Sequence, residues 1–77
     1  MNWDQIAGVW KQLRGELKQR WGKLTDDDLD VIRGQRDKLV GKLQERYGMS
    51  RERASQEADQ WGQAAQLEAD EQARKRA

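Results

Sequence analysis

Cysteine, histidine and proline are all missing from this chain of 77 residues. Without cysteine there is no disulfide, no thiol nucleophile and no thiolate metal site. Without histidine the chain lacks the imidazole ligand and the side chain best suited to proton transfer near neutral pH. Without proline, nothing forces a helix to break for want of a backbone donor. Net charge of one sign is scarce too: 15 basic and 14 acidic residues leave a formal +1. Such a balance gives no strong field to draw in nucleic acid or anionic lipid. There is no apolar run long enough to cross a membrane and no signal-peptide core, so a cytoplasmic location is expected.

What is present is charge and tryptophan. Charged residues make up 38% of the chain, close to the composition of disordered proteins. Four tryptophans argue against disorder, because each offers a large apolar surface to bury. One domain is expected, and one this small buries only roughly 60% of its unfolded surface. The core must be small and efficiently packed.

The chain is written twice. Gly8, Gly15 and Gly22 recur as Gly34, Gly41 and Gly48 when the sequence is shifted by 26. The same shift aligns Ile6 with Ile32, Leu13 with Leu39, Leu17 with Leu43, Arg20 with Arg46, and Trp21 with Tyr47. Two copies suit a domain of two similar helical hairpins. In the first copy Trp3, Ile6, Trp10, Leu13, Leu17 and Trp21 fall at steps of three and four, one helical face. Ile32, Leu39, Val40, Leu43 and Tyr47 repeat it. Core packing explains both stripes, with Tyr47 and the indole nitrogens finding polar partners at its edge.

Punctuation between the helices is explicit. Gly22 and Gly48 stand where a chain leaving a helix turns left-handed. Thr25 is a good N-cap, and Asp26, Asp27 and Asp28 favour the positive helix end that follows. Leu24 and Leu29 have staple spacing. Gly34 is expected to separate a short helix, Asp26 to Arg33, from a longer one, with Gly8 making the equivalent break in the first copy. Ser50 opens the last helix, with Glu52 in its first turn. Ala54, Ala58, Trp61 and Ala65 give that helix a weaker stripe. After Gly62 the segment 63–77 is rich in alanine and charge, and only Leu67 offers much to bury. Gly15 and Gly41 fall inside helices, where glycine costs about 1 kcal/mol relative to alanine. Close approach of another helix would offset that cost, so the hairpins are expected to cross there.

Candidate chemistry is thin. Asp26, Asp28 and Asp30 match the first ligands of a calcium loop, but Val31 takes the position of the required glycine, and Asp37 stands where a bidentate glutamate is usual. Lys11, Arg14 and Lys18 share a helical face, and Arg74, Lys75 and Arg76 follow near the end. Glu16, Asp4 and the acidic turn dilute that field, and no nucleic-acid-binding motif appears. A nucleic-acid partner is therefore disfavoured, and so is a membrane. No Gly-rich phosphate loop is present. No residue set recommends itself as catalytic, cofactor-binding or metal-ligating.

Taken together, the stretches WGKLTDDDL and GQRDKLVGKLQERYG, with Trp61 downstream, resemble the CsbD-like family of small bacterial stress-response proteins. The likeness spans about Asn2 to Trp61. It implies an all-α fold, a four-helix bundle of two roughly orthogonal hairpins similar to SAM domains. Residues 1–62 would form that domain, and 63–77 a helical or frayed C-terminal extension. It also implies a non-enzymatic bacterial protein abundant under general, osmotic or stationary-phase stress. The family carries no accepted catalytic residues to transfer. Some members are similar to hydrophilins, glycine-rich and very hydrophilic, which suits protection against osmotic or desiccation stress. The alternatives are a module docking an unknown protein partner through a helical groove or the tail, and a weak nucleic-acid binder. A monomer without cofactor is expected.

Overall fold

The computed structural model describes residues 3–76, apart from the side chains of Ala73 and Arg76. Met1, Asn2 and Ala77, the outermost residues of the expected segments, lie outside the described residues. The described chain is all-helical, in the order α1 (Trp3–Gly8), α2 (Trp10–Arg20), α3 (Asp26–Ile32), α4 (Arg36–Tyr47) and α5 (Arg51–Arg76). The break expected near Gly8 falls at Val9 and divides the first rod into α1 and α2, so the described residues form five helical segments, one more than the four-helix bundle that the resemblance implies.

The repeat is visible in the element boundaries. Shifting α2 by 26 residues lays it on residues 36–46, the span of α4 to within one residue. The aligned pairs Ile6 and Ile32, Leu13 and Leu39, and Leu17 and Leu43 are all buried. Trp21 is buried as well, whereas its counterpart Tyr47 packs at the core's edge. There the Tyr47 hydroxyl accepts a hydrogen bond from the Lys23 amide at 3.1 Å.

The long last helix closes both copies. Its 26 residues, at about 1.5 Å each, account for the 41 Å long axis of the molecule. It packs on α4 and α1, while α3 packs on α4. Ala54, Ala58, Trp61 and Ala65 are its buried stripe, as the spacing predicts. Trp61 is the centre. Its ring lies 6.0 Å from Trp3, 6.2 Å edge-on from Trp10 and 6.3 Å from Trp21. The Trp10 indole N–H donates to the Leu29 carbonyl at 3.1 Å, so a buried polar atom is satisfied across to α3.

Helix ends follow the sequence in most places. Thr25 caps α3, Ser50 Oγ accepts from the Arg53 amide at the start of α5, and Gly48 ends α4 in the left-handed region at φ 64°. Leu24 and Leu29 are both buried at the start of α3. Gly22 departs from expectation: it is not left-handed, because the chain leaves α2 through a turn closed by the Leu24 amide on the Trp21 carbonyl at 3.0 Å. That turn needs no positive φ. Leu67 is a second correction. It is 71% exposed, and Ala69 takes the inward place beyond Ala65.

The crossing expected at Gly15 and Gly41 is also overturned. Both glycines are exposed, and a Cβ at either would meet nothing within 4 Å. Each lies midway between core leucines, Leu13 and Leu17 or Leu39 and Leu43, and so on the far side of its helix. The close approach occurs instead at Gly34, at φ 78°, where a Cβ would sit 2.6 Å from the Ala7 Cα. Arg33 before it is also left-handed, at φ 48°, which costs a non-glycine residue about 1–2 kcal/mol. We predict opposite outcomes from one substitution in urea titrations. Gly15→Ala and Gly41→Ala each raise stability by about 1 kcal/mol. Gly34→Ala lowers it by more than about 1 kcal/mol, because its backbone angle and the Ala7 backbone both oppose a side chain.

Candidate functional site

The most site-like cluster grows from the N-terminus of α3. Thr25 is extended there, and its Oγ1 accepts from the Asp28 amide at 3.1 Å. Asp28 Oδ2 in turn accepts from the Thr25 amide at 3.0 Å. The pair is a capping box with aspartate in the usual glutamate position. The shorter side chain stays close to the helix, and Asp28 is only 2% exposed.

Cations from α4 meet this buried carboxylate. Lys42 and Arg46, one turn apart, project toward α3. Arg46 holds both oxygens, Nε to Oδ2 at 2.8 Å and Nη2 to Oδ1 at 3.0 Å. Lys42 Nζ lies 3.2 Å from Oδ1 and also reaches Glu45 at 3.4 Å. An ionised carboxylate has about four lone-pair positions, and the Thr25 amide, Arg46 twice and Lys42 fill them. The Arg46 hydrogen bonds hold the Asp28 carboxyl far below the usual carboxylate range; burial opposes them, and the Thr25 amide and Lys42 reinforce them. At neutral pH an ionised, fully engaged carboxylate neither donates a proton nor takes a ligand. Its chemistry is to clasp α3 to α4.

The other acids of the calcium-like run are engaged as well. Asp26 meets Lys18 at 2.9 Å, and Asp30 meets Arg14 at 3.1 Å. Lys18 lowers the Asp26 carboxyl from its ordinary value, first by hydrogen bonding and then by charge. Among the described residues no group of three or more acidic side chains could hold a metal ion. These contacts also turn two residues of the disfavoured basic face, Arg14 and Lys18, onto α3. Lys75 pairs with Glu71 at 3.8 Å, and the Arg76 side chain lies outside the described residues.

Two further features stand at element junctions. Arg36 grips Asp59 with two parallel bonds of 2.7 and 3.1 Å, joining the start of α4 to α5. The Arg36 hydrogen bonds hold the Asp59 carboxyl down against the effect of burial. An open depression of about 320 Å³, lined by Asp30, Val31, Arg33, Gln35 and Lys38, lies beside the α3–α4 turn. Its Asp30 is taken by Arg14, and Arg33 Nε donates to the Asp30 carbonyl at 2.9 Å.

Sequence reasoning placed Thr25 and the acidic turn but missed the clasp. The available signal was weak: Arg20 and Arg46 align in the repeat, yet Arg20 lies over the Trp21 ring at 5.1 Å while Arg46 grips Asp28. Replacing Asp28 with asparagine should cost about 1–3 kcal/mol of stability, since charge-assisted bonds are lost in a buried place. The pH dependence has a definite sign. Native Asp28 binds its proton more weakly than the unfolded chain does, so its contribution is complete above the unfolded value of about 3.9 and drains as pH falls below it. Urea midpoints measured from neutral pH down into acid should fall less steeply for Asp28→Asn than for the parent.

Comparison with known proteins agrees with the likeness seen in the motifs. The description CsbD-like matches residues 4–56. The UPF0337 protein YjbJ of Escherichia coli O6:H1 is 56% identical over 61 residues, 79% of this chain and 88% of its own. UPF0337 protein ECA0631 of Pectobacterium atrosepticum is 59% identical over the same shares. UPF0337 protein PA4738 of Pseudomonas aeruginosa is 65% identical over 57 residues, 74% of this chain and 88% of its own. No solved structure matches. With more than half of its length inside the family match and relatives at this identity along most of their own length, the chain belongs to the CsbD-like family.

Proposed function

We propose that this chain is a non-enzymatic general stress-response protein of the bacterial cytoplasm. It acts as a hydrophilin-like protectant under osmotic or desiccation stress. One observation carries the reading: the exterior is charged and almost free of large apolar groups. Among the described residues the exposed large hydrophobic side chains are Val31 and Leu67, on different helices. The tryptophans and leucines are spent on the core, and scattered single apolar residues do not form an adhesive patch. Such a surface holds water and separates other proteins without binding them tightly. The family membership supports the link to stress, and the engaged carboxylates support a role without catalysis.

The SAM-like arrangement of two orthogonal hairpins belongs to the same reading, supported by the repeat that equates α2 with α4. So does the division into a family domain, 1–62, and an extension, 63–77, since the family match ends at residue 56. A monomer suits an exterior without a large apolar patch.

The test is drying. A desiccation-sensitive reporter enzyme dried with this protein should retain more activity than one dried with an equal mass of an inert globular protein of similar size. Equal protection by both would remove the reading. Protection that saturates at a fixed stoichiometry would favour a docking module instead.

A further inference from the structure

The turn between α3 and α4 carries polar side chains that the first copy of the repeat does not have. A shift of 26 sets Arg33 against Ala7, Gln35 against Val9 and Lys38 against Gln12. These three are no part of the repeated core pattern. All of them line the open depression of about 320 Å³ beside the turn, together with Asp30 and Val31. That volume is at the low end for small-molecule sites, so it suits a small ligand.

The cations of the depression differ from the others near α3 and α4. Arg14, Lys18, Arg36, Lys42 and Arg46 are all spent on carboxylates. Arg33 instead donates from Nε to the Asp30 carbonyl at 2.9 Å, its one hydrogen bond among the described residues. That bond anchors the guanidinium and leaves both Nη groups open. Exposed Lys38 meets no partner among the described residues, and the Gln35 side chain caps nothing on α4. The nearby acids do not neutralise the pair, since Asp30 faces Arg14 at 3.1 Å and Asp37 lies 3.7 Å from Arg36. Val31, 46% exposed, gives the depression an apolar patch.

The backbone under these side chains is fixed. Gly34 is pressed onto Ala7, and the Gln35 amide donates to the Ile32 carbonyl at 2.8 Å. Arg33 keeps a long side chain at φ 48°, an angle that glycine adopts more easily. Strain of this kind collects at ligand sites. A turn already in place spends little on ordering when a ligand arrives.

We propose that this depression binds a small aliphatic dicarboxylate. One carboxylate takes the Arg33 fork, whose planar geometry matches two oxygens. The other takes the Lys38 ammonium, with the Gln35 amide as a further donor. The methylenes between them lie on Val31. Both ends of such a ligand stay partly in water, so binding is in the millimolar range. The site stands apart from the protective role proposed above, which needs only the hydrated exterior.

Succinate titrated into the full chain, with ionic strength held constant by chloride, tests this by amide NMR. Shifts should concentrate in residues 30–38 and saturate with a Kd of about 1–20 mM. Arg33→Gly, which also suits the left-handed angle, and Lys38→Gln should each weaken binding about fivefold or more. Lys11→Gln, which removes an exposed cation on α2, should leave it unchanged. Acetate, with one carboxylate, should bind about fivefold more weakly or worse. The absence of saturable shifts up to about 50 mM overturns the proposal. So does equal binding by inorganic phosphate, which would mean that the site reads charge alone, and so does undiminished binding in Arg33→Gly or Lys38→Gln.

Discussion

Trp61 holds this small domain together because it is the one large side chain that the last helix contributes to the core. Its neighbours on the buried stripe are alanines, at 54, 58, 65 and 69. Alanine lets a helix lie close to its neighbours but contributes little apolar area. An indole buries on the order of 150–250 Å². Placed at the meeting point of Trp3, Trp10 and Trp21, this one touches α1 and both ends of α2. The first copy of the repeat is thereby fastened to a helix that lies outside the repeat. A chain with 38% charged residues has few apolar groups to spare, and concentrating them around one hub lets it fold.

Charge does the complementary work. The second copy is fastened by ions: Asp28 between Lys42 and Arg46, and Asp59 against Arg36. The Asp28 cluster is buried, yet Lys42 and Arg46 retain partial access to water, which limits their desolvation cost. Arg14 and Lys18 add surface pairs to α3, individually worth little. The consequence for function is negative and specific. Asp26, Asp28 and Asp30 of the calcium-like run, and Arg14 and Lys18 of the basic face, are engaged in ion pairs between helices. What remains outside is hydrated and mixed in sign, consistent with the protective role proposed for this member of the CsbD-like family.

The two copies share helix boundaries but not their contacts. Gly8 is open, whereas its counterpart Gly34 is pressed onto the Ala7 backbone. Arg20 lies over an indole, and Arg46 grips a carboxylate. The equivalent positions Glu16 and Lys42 carry opposite charges, and Lys42 meets Asp28. The repeated residues define two similar rods. The two rods meet different neighbours, and α5, which lies outside the repeat, packs mainly on α4 and α1.

Local signals in the sequence determined the helical class, the duplicated stripes, the Thr25 and Ser50 caps, the left-handed exit at Gly48 and the alanine stripe around Trp61. Each depends on residues within a turn or two of one another, so periodicity and capping chemistry expose it. Tertiary structure alone decided that Gly34, and not Gly15 or Gly41, meets another backbone. It also decided that Leu67 faces water while Ala69 is buried, and that Asp28 is clasped from α4. Those outcomes depend on which face of one helix meets which face of another. Residues 18 or more apart in sequence carry that information in no local pattern, because an acid that caps its own helix looks the same whether or not an arginine from the next helix reaches it.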